Sequence, residues 1–199
     1  MRTLVFATNN KHKLQEVSEM LDGIVEIKSL EEMGLSGEIP ETADTLQGNA
    51  LQKAQWVWER THTDCFADDT GLEVEALDGA PGVYSARYAG EHCSFDDNID
   101  KLLGAMEGKT NRKADFRTVV CLMEGGEARY FEGRVDGVIL TERYGKEGFG
   151  YDPVFMPDRF GVSFAEMPME VKNKISHRGL AIAKLVEYLR NSEVVNCDL

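Results

Sequence analysis

The segment Thr8-Asn9-Asn10-Lys11-His12-Lys13 follows the apolar run Leu4-Val5-Phe6-Ala7, where helical spacing begins. A helix starting there presents unpaired backbone N–H groups and the positive end of its dipole, an arrangement that favours phosphate. Asn and Thr add hydrogen bonds, while Lys11 and Lys13 add charge. A plain N-cap with solvated lysines has the same composition, so this segment alone does not separate the two. A second candidate is Glu41 with Asn49 and Lys53, the latter pair four apart on one helix face. A hard cation such as Mg2+ takes carboxylate oxygens, and Lys53 could meet a phosphate beside it. An ordinary surface carboxylate and lysine would look alike.

Asp68-Asp69-Thr70-Gly71-Leu72 sets two carboxylates side by side where a strand is expected to give way to a turn. Like charges repel, and a divalent ion that neutralises them makes such a pair sensible. Neighbours on a strand point to opposite faces, so one of the two is expected to face the reaction. An Asx-type turn is the simpler alternative. In Gly148-Phe149-Gly150-Tyr151-Asp152-Pro153, glycines flank an aromatic residue, which suits a loop that stacks on a flat ligand, with Asp152 as hydrogen-bond acceptor. Phe149 could equally be a core residue. Finally, four of the seven residues in Lys172-Asn173-Lys174-Ile175-Ser176-His177-Arg178 are Lys, His or Arg, a local inversion in an acidic chain. A basic connector with acidic neighbours is the alternative there. Gly108-Lys109-Thr110 is no P-loop, because Gly104 is one residue too close and a helix precedes it.

These segments need elements to position them. Residues 2–7 read as a buried strand, and Leu14, Val17 and Leu21 as the apolar face of a helix closed by Asp22-Gly23. Residues 24–27 form a second short strand. Asp44 with Gln47 is expected to cap a longer helix with Leu46, Ala50, Ala54 and Val57 on its apolar face. Short strands at 65–67 and 72–76 flank a turn, and a helix runs over 95–106. Strands at 116–123 and 128–138 pair around Glu124-Gly125-Gly126-Glu127. The last helix carries Ile182, Leu185, Val186 and Leu189 on one face, with 191–199 as a fraying tail. The pattern is that of a mixed α/β protein, one domain over residues 1–199.

With 22 basic against 35 acidic residues, a net charge of −13 argues against polymeric nucleic acid as a partner. A small phosphate ligand stays compatible, since exposed charges are screened over roughly 8 Å and a local basic patch can dominate. The four cysteines show no CxxC pair, which suits reduced thiols in a cytosol rather than a zinc site or disulfide scaffold. The longest apolar stretch falls far short of the roughly 20 residues of a membrane span, and the N-terminal apolar run is too brief for a signal peptide. A cytoplasmic location without a membrane partner is expected.

Taken in order, the segments resemble the inosine triphosphate pyrophosphatase family. The matching pieces are Thr8-x-Asn10-x-x-Lys13, Glu41 before Asn49-Ala50-x-x-Lys53-Ala54, Asp68-Asp69-Thr70-Gly71-Leu72, Pro81-Gly82-Val83-Tyr84-Ser85-Ala86-Arg87, the glycine-rich loop through Phe155, and Ser176-His177-Arg178. The likeness runs from Thr8 to the last helix. It implies an elongated α/β fold, a mixed β-sheet with flanking helices forming two lobes around a central cleft, and a homodimer. The implied activity is Mg2+-dependent hydrolysis of deaminated purine nucleoside triphosphates (ITP, dITP and XTP) to the monophosphate and pyrophosphate, which cleanses the nucleotide pool.

Carried over by position, the resemblance makes Asp69 and Lys53 catalytic and Glu41 and Asp69 metal ligands, with Asp68 left open as a further ligand. Thr8, Asn9, Asn10, Lys13 and Lys53 would hold the triphosphate, and Thr70 would contact substrate. Phe149 would stack on the base, Gly150 and Tyr151 belong to the same loop, and Asp152, Lys172, His177 and Arg178 would read the base edge. Thr70 stands where the family more often has Ser. A pyrophosphatase for modified pyrimidine triphosphates and a nucleotide-sensing module without hydrolysis are the rival readings.

Overall fold

The computed structural model describes residues 2–196, with side chains to Ser192. Among them β1 (Arg2–Phe6) pairs in parallel with both β2 (Val25–Lys28) and β3 (Cys65–Val74). The short β4 (Pro81–Gly82) lies antiparallel on β3. Two long strands follow, β5 (Lys113–Glu124) and β6 (Glu127–Ile139), and β7 (Phe155–Pro157) runs antiparallel to β6. The result is a seven-stranded mixed sheet in the order β2-β1-β3-β5-β6-β7, with β4 beside β3. Five helices accompany it: α1 (Lys11–Leu21), α2 (Leu46–Thr61), α3 (Phe95–Ala105), α4 (Met169–Ile175) and α5 (His177–Asn196).

The chain divides into two compact units. Unit 1 comprises the residues up to Asp69, Thr118–Gly133, and those from Arg178 on; unit 2 comprises Thr70–Arg117 and Arg134–His177. The chain therefore passes between units inside β3, inside β5, inside β6 and at the start of α5.

Each unit has its own core. In unit 1, Leu4, Phe6, Val17, Leu21 and Phe66 meet Ile182, Leu185 and Leu189 of α5, and Phe6 stacks on Phe66 with ring centroids 4.5 Å apart. The α2 face of Ala50, Ala54 and Val57 packs with Val5, Cys65 and Cys121. In unit 2, Ile99 and Leu102 of α3 join Phe116, Phe155 and Phe164. Burying each large apolar side chain stabilises by roughly 1.5–3 kcal/mol.

The expected elements are present with four corrections. First, β3 is a single ten-residue strand, not two strands around a turn. Second, Thr45 rather than Asp44 caps α2: its backbone is extended and its hydroxyl accepts from Gly48 N at 3.0 Å. Gly48 has no side chain, so no reciprocal capping box can form. Third, the basic segment does not lie wholly before the last helix: Lys172 to Ile175 are the second half of α4, Ser176 is its C-cap, and His177 and Arg178 open α5. Fourth, α5 continues through Asn196, past the point where a tail was expected; the remainder of that tail, 197–199, lies outside the described residues. The hairpin turn needs its glycines, since Gly125 (φ 56) and Gly126 (φ 88) both occupy left-handed backbone.

Candidate active site

Unit 1 gathers the residues of the first and second segments, Asp68 and Asp69 of the third, and Arg178 of the fifth. Strand alternation turns Asp68 and Asp69 to opposite faces of β3. Asp68, 1% exposed, accepts from Lys13 Nζ at 3.1 Å and from Arg178 Nε at 3.2 Å. Arg178 Nη1 donates in turn to Glu16 Oε2 at 2.6 Å. Burial works to raise the Asp68 pKa, but Lys13, Arg178 and Lys53 outweigh it and hold the carboxyl far below its ordinary range. Asp68 is thus the anion that fixes two buried cations.

Asp69 has a different environment. Asn49 Nδ2 donates to Asp69 Oδ2 at 3.0 Å, and Lys53 Nζ lies 3.4 Å from Asp69 Oδ1 while also donating to Glu41 Oε1. The i, i+4 spacing on α2 brings Asn49 and Lys53 to the same carboxylate. Asn49 is itself fixed by Ala43 N, which donates to its Oδ1 at 2.9 Å. Burial raises the Asp69 pKa above its ordinary value, with Glu41 adding to the rise and Lys53 opposing it. At Glu41 burial also pushes upward, but the Lys53 ammonium wins and holds it below the usual range.

The α1 end of the cluster is ordered by its own side chains. Asn10 caps α1, its Oδ1 accepting from His12 N and Lys13 N. Two of the helix N–H groups expected to meet phosphate are therefore already engaged, which is a correction. Thr8 Oγ1 accepts from Asn10 N, and Asn9 Nδ2 donates to Gly37 O.

Unit 2 gathers the fourth segment and part of the fifth. Asp152, buried, accepts on Oδ2 from Phe149 N at 2.8 Å and from Lys172 Nζ at 2.7 Å. The Lys172 ammonium also lies 5.2 Å from the Phe149 ring centroid. Gly148 (φ 73) and Gly150 (φ 62) supply the left-handed backbone on either side of Phe149. His177 stacks on Phe116, centroids 4.4 Å apart and planes 12° from parallel. Thr70 sits half-buried in mid-strand.

Tyr151 and Arg178 have partners within their own units. Tyr151 is buried in the unit 2 core and donates its hydroxyl to Ser85 O at 2.7 Å, so its side chain serves packing. Arg178 sits with the carboxylates of unit 1, where Glu16 and Asp68 compete for its guanidinium. Glu16 was not anticipated from the sequence. Its trace was available: it follows Lys13 by three residues on α1 and adjoins Val17 on the buried stripe.

Three cations (Lys13, Lys53, Arg178) and four carboxylates (Glu16, Glu41, Asp68, Asp69) thus make up the unit 1 cluster. Among the described residues no group of three or more His, Cys, Asp or Glu forms a metal-binding set. Glu41 and Asp69, flanking one ammonium, offer two hard oxygen donors, and Mg2+ is commonly held by one or two carboxylates with substrate phosphates completing the shell. The residues present fit such an ion. No helix among the described residues is long and apolar enough to cross a membrane.

The chain matches the model of the Ham1 family over residues 4–188. It is 57% identical over 190 residues to a dITP/XTP pyrophosphatase of Porphyromonas gingivalis, covering 95% of this chain and 98% of that protein. A dITP/XTP pyrophosphatase of Flavobacterium johnsoniae is 52% identical over 186 residues, 94% of this chain and 97% of the other. Among solved structures, the Staphylococcus aureus Ham1 protein superposes with a TM-score of 0.87 at 36% identity, covering 96% of this chain and all of that one. A HAM1 protein from Coxiella burnetii gives 0.88 at 37% identity with the same coverage.

Proposed function

Because this chain belongs to the Ham1 family, we propose that it hydrolyses the deaminated purine nucleoside triphosphates ITP, dITP and XTP to the monophosphate and pyrophosphate. The observation that carries the reading is the Asp69 environment: a buried carboxylate of raised pKa, oriented by Asn49 and adjoining Lys53. Sensing requires binding groups but no base, so this constellation favours hydrolysis over a sensor.

A triphosphate carries about four negative charges, and its transfer chemistry depends mainly on positioning and electrostatics. Lys13 and Lys53 are the ammonium groups it would draw on, with Thr8, Asn9 and the amide of Asn10 beside them. Withdrawing Lys53 from Glu41 and Asp69 leaves those carboxylates to a divalent cation, and both would hold Mg2+. Bound there, Mg2+ would neutralise phosphate charge and make water easier to deprotonate. Asp69 takes the proton of the attacking water. Asp68 is not a ligand in this reading, since Lys13 and Arg178 occupy both of its oxygens.

In unit 2, Phe149 stacks on the base, and Lys172, Asp152 and His177 meet its edge. Hypoxanthine and xanthine present a 6-oxo acceptor to Lys172, whereas the 6-amino group of adenine is a donor and offers that ammonium no acceptor, which costs binding. Residues 1–199 are read as one domain, the chain passing between the two units four times. A homodimer and a cytoplasmic location complete the proposal; the free thiols Cys65, Cys93 and Cys121 suit a reducing compartment.

The test is a panel of ITP, dITP, XTP, ATP, GTP and UTP with Mg2+, products separated by chromatography. Monophosphate and pyrophosphate from ITP and XTP, with ATP largely spared, is the expected result. Diphosphate and orthophosphate would show that the wrong bond is cut.

A further inference from the structure

Phe95 opens α3 immediately after a complete capping box, in which Ser94 Oγ accepts from Asp97 N and Asp97 Oδ2 accepts from Ser94 N. Helix initiation at this point is thus accounted for by polar groups. The core does not require the phenyl ring either: Phe95 is 43% exposed, while Ile99 and Leu102 of the same helix are buried. Its ring packs against Phe149, centroids 5.9 Å apart and planes tilted by 42°.

Phe149 lies between two glycines in left-handed conformation, so its backbone alone constrains the ring weakly. Three contacts compensate. Its N–H is tied to Asp152, its ring meets the Lys172 ammonium, and it packs against Phe95. The loop is also fastened to the first turns of α3 by Arg143, whose Nη2 donates to Asp96 O at 3.2 Å and to Asp100 Oδ1 at 2.8 Å. The opening of α3 and the aromatic loop thus form one fastened unit.

We propose that Phe95 is a positioning residue for base recognition, an aromatic stop that holds the Phe149 ring in its stacking orientation. This rests on the reading of Phe149 as the base platform. An aromatic pair of this kind contributes enough to change affinity about three- to tenfold when one ring is removed.

The experiment measures kcat and KM for ITP in Phe95→Ala, Phe95→Leu, Phe95→Tyr, Phe149→Ala and the Phe95→Ala/Phe149→Ala double variant, with thermal melts as a check on folding. Phe95→Ala is expected to raise KM about three- to tenfold with kcat within about twofold, the pattern of lost uniform binding. Phe95→Tyr should restore the wild-type KM and Phe95→Leu should not. In the Phe149→Ala background, Phe95→Ala should add nothing. An unchanged KM in Phe95→Ala, or the same rise with and without Phe149, overturns the proposal. If Phe149→Ala itself leaves KM unchanged, the base-platform reading fails instead, and the inference falls with it.

Discussion

Asp68 and Asp69 are joined by one peptide bond yet serve different neighbours: Asp68 accepts from Lys13 and Arg178, and Asp69 accepts from Asn49 and Lys53. Burial works to raise both pKa values; at Asp68 the surrounding cations outweigh it and the pKa falls, whereas at Asp69 burial prevails over Lys53 and the pKa rises. The two asparagine variants should therefore fail in different ways.

Asp69→Asn is expected to lower kcat for ITP by about 10²–10⁴-fold, the usual contribution of a positioned base, while nucleotide affinity changes little. Chromatographic assay and calorimetric titration with ITP measure the two. Turnover at the wild-type rate would remove Asp69 from its role.

Asp68→Asn leaves Lys13 and Arg178 buried beside a neutral amide. Losing one partner of a buried ion pair costs roughly 3–5 kcal/mol. For a chain of this length that corresponds to a drop in Tm of about 6–20 °C. A melt within a few degrees of wild type would show that the cluster relaxes at little cost.

Glu41 is about one-third exposed at its side chain, 34%, so its loss should spare the fold. Glu41→Gln is expected to raise the Mg2+ concentration for half-maximal activity by about tenfold or more, with Tm nearly unchanged. Chelation by EDTA should abolish wild-type turnover, and added Mg2+ should restore it. An unaltered Mg2+ dependence in the variant would exclude Glu41 as a ligand.

Burial pushes the thiols of Cys65 and Cys121 from 9.0 up to about 12. A raised pKa means that the folded state favours the protonated thiol. The contribution is fully present below pH 9 and is lost as pH rises from 9 toward 12, at up to about 1.4 kcal/mol per pH unit per thiol. Urea denaturation at pH 8, 9 and 10 should show falling stability, with a shallower fall in Cys121→Ala. Equal slopes in the two proteins would contradict this. At pH 8 in the native state, a thiol reagent should modify Cys93 while leaving Cys65 and Cys121 intact.

Gly148 and Gly150 both lie at positive φ, but only a Cβ on Gly148 would collide with the Asp152 carboxylate. Gly148→Ala should raise KM for ITP and lower Tm, while Gly150→Ala should cost only the roughly 1–2 kcal/mol of left-handed backbone strain. Kinetics and melts of the pair measure the contrast; equal effects would show that strain alone matters there.

The sequence was most legible where a pattern is local. The faces of α2 and α5, the glycine hairpin, and the sharing of a face by Asn49 and Lys53 all follow from spacing. Read locally, Asp68-Asp69-Thr70-Gly71 is a turn; β3 runs straight through it because distant side chains neutralise its carboxylates. Lys13 lies 55 residues from Asp68 and Arg178 lies 110. Such pairings depend on the sheet order, and no periodicity within a window records them. The position of Glu16 on the buried stripe of α1 is legible locally, but its partner Arg178, 162 residues away, is not.

The continuity of β3 makes the two aspartates a matter of counting. Inserting or deleting one residue between Cys65 and Asp68 would reverse the parity of every later side chain in the strand. A deletion would bring the Asp69 carboxylate to Lys13 and Arg178, and an insertion would bring the Asp68 carboxylate to Asn49 and Lys53. In either case the other carboxylate would lie two residues, about 7 Å, from the partners its new face offers, so the acidic pair would survive in the sequence with one of its two sites empty. Relatives of this chain should therefore tolerate length changes in their loops far more readily than a single-residue change in this strand.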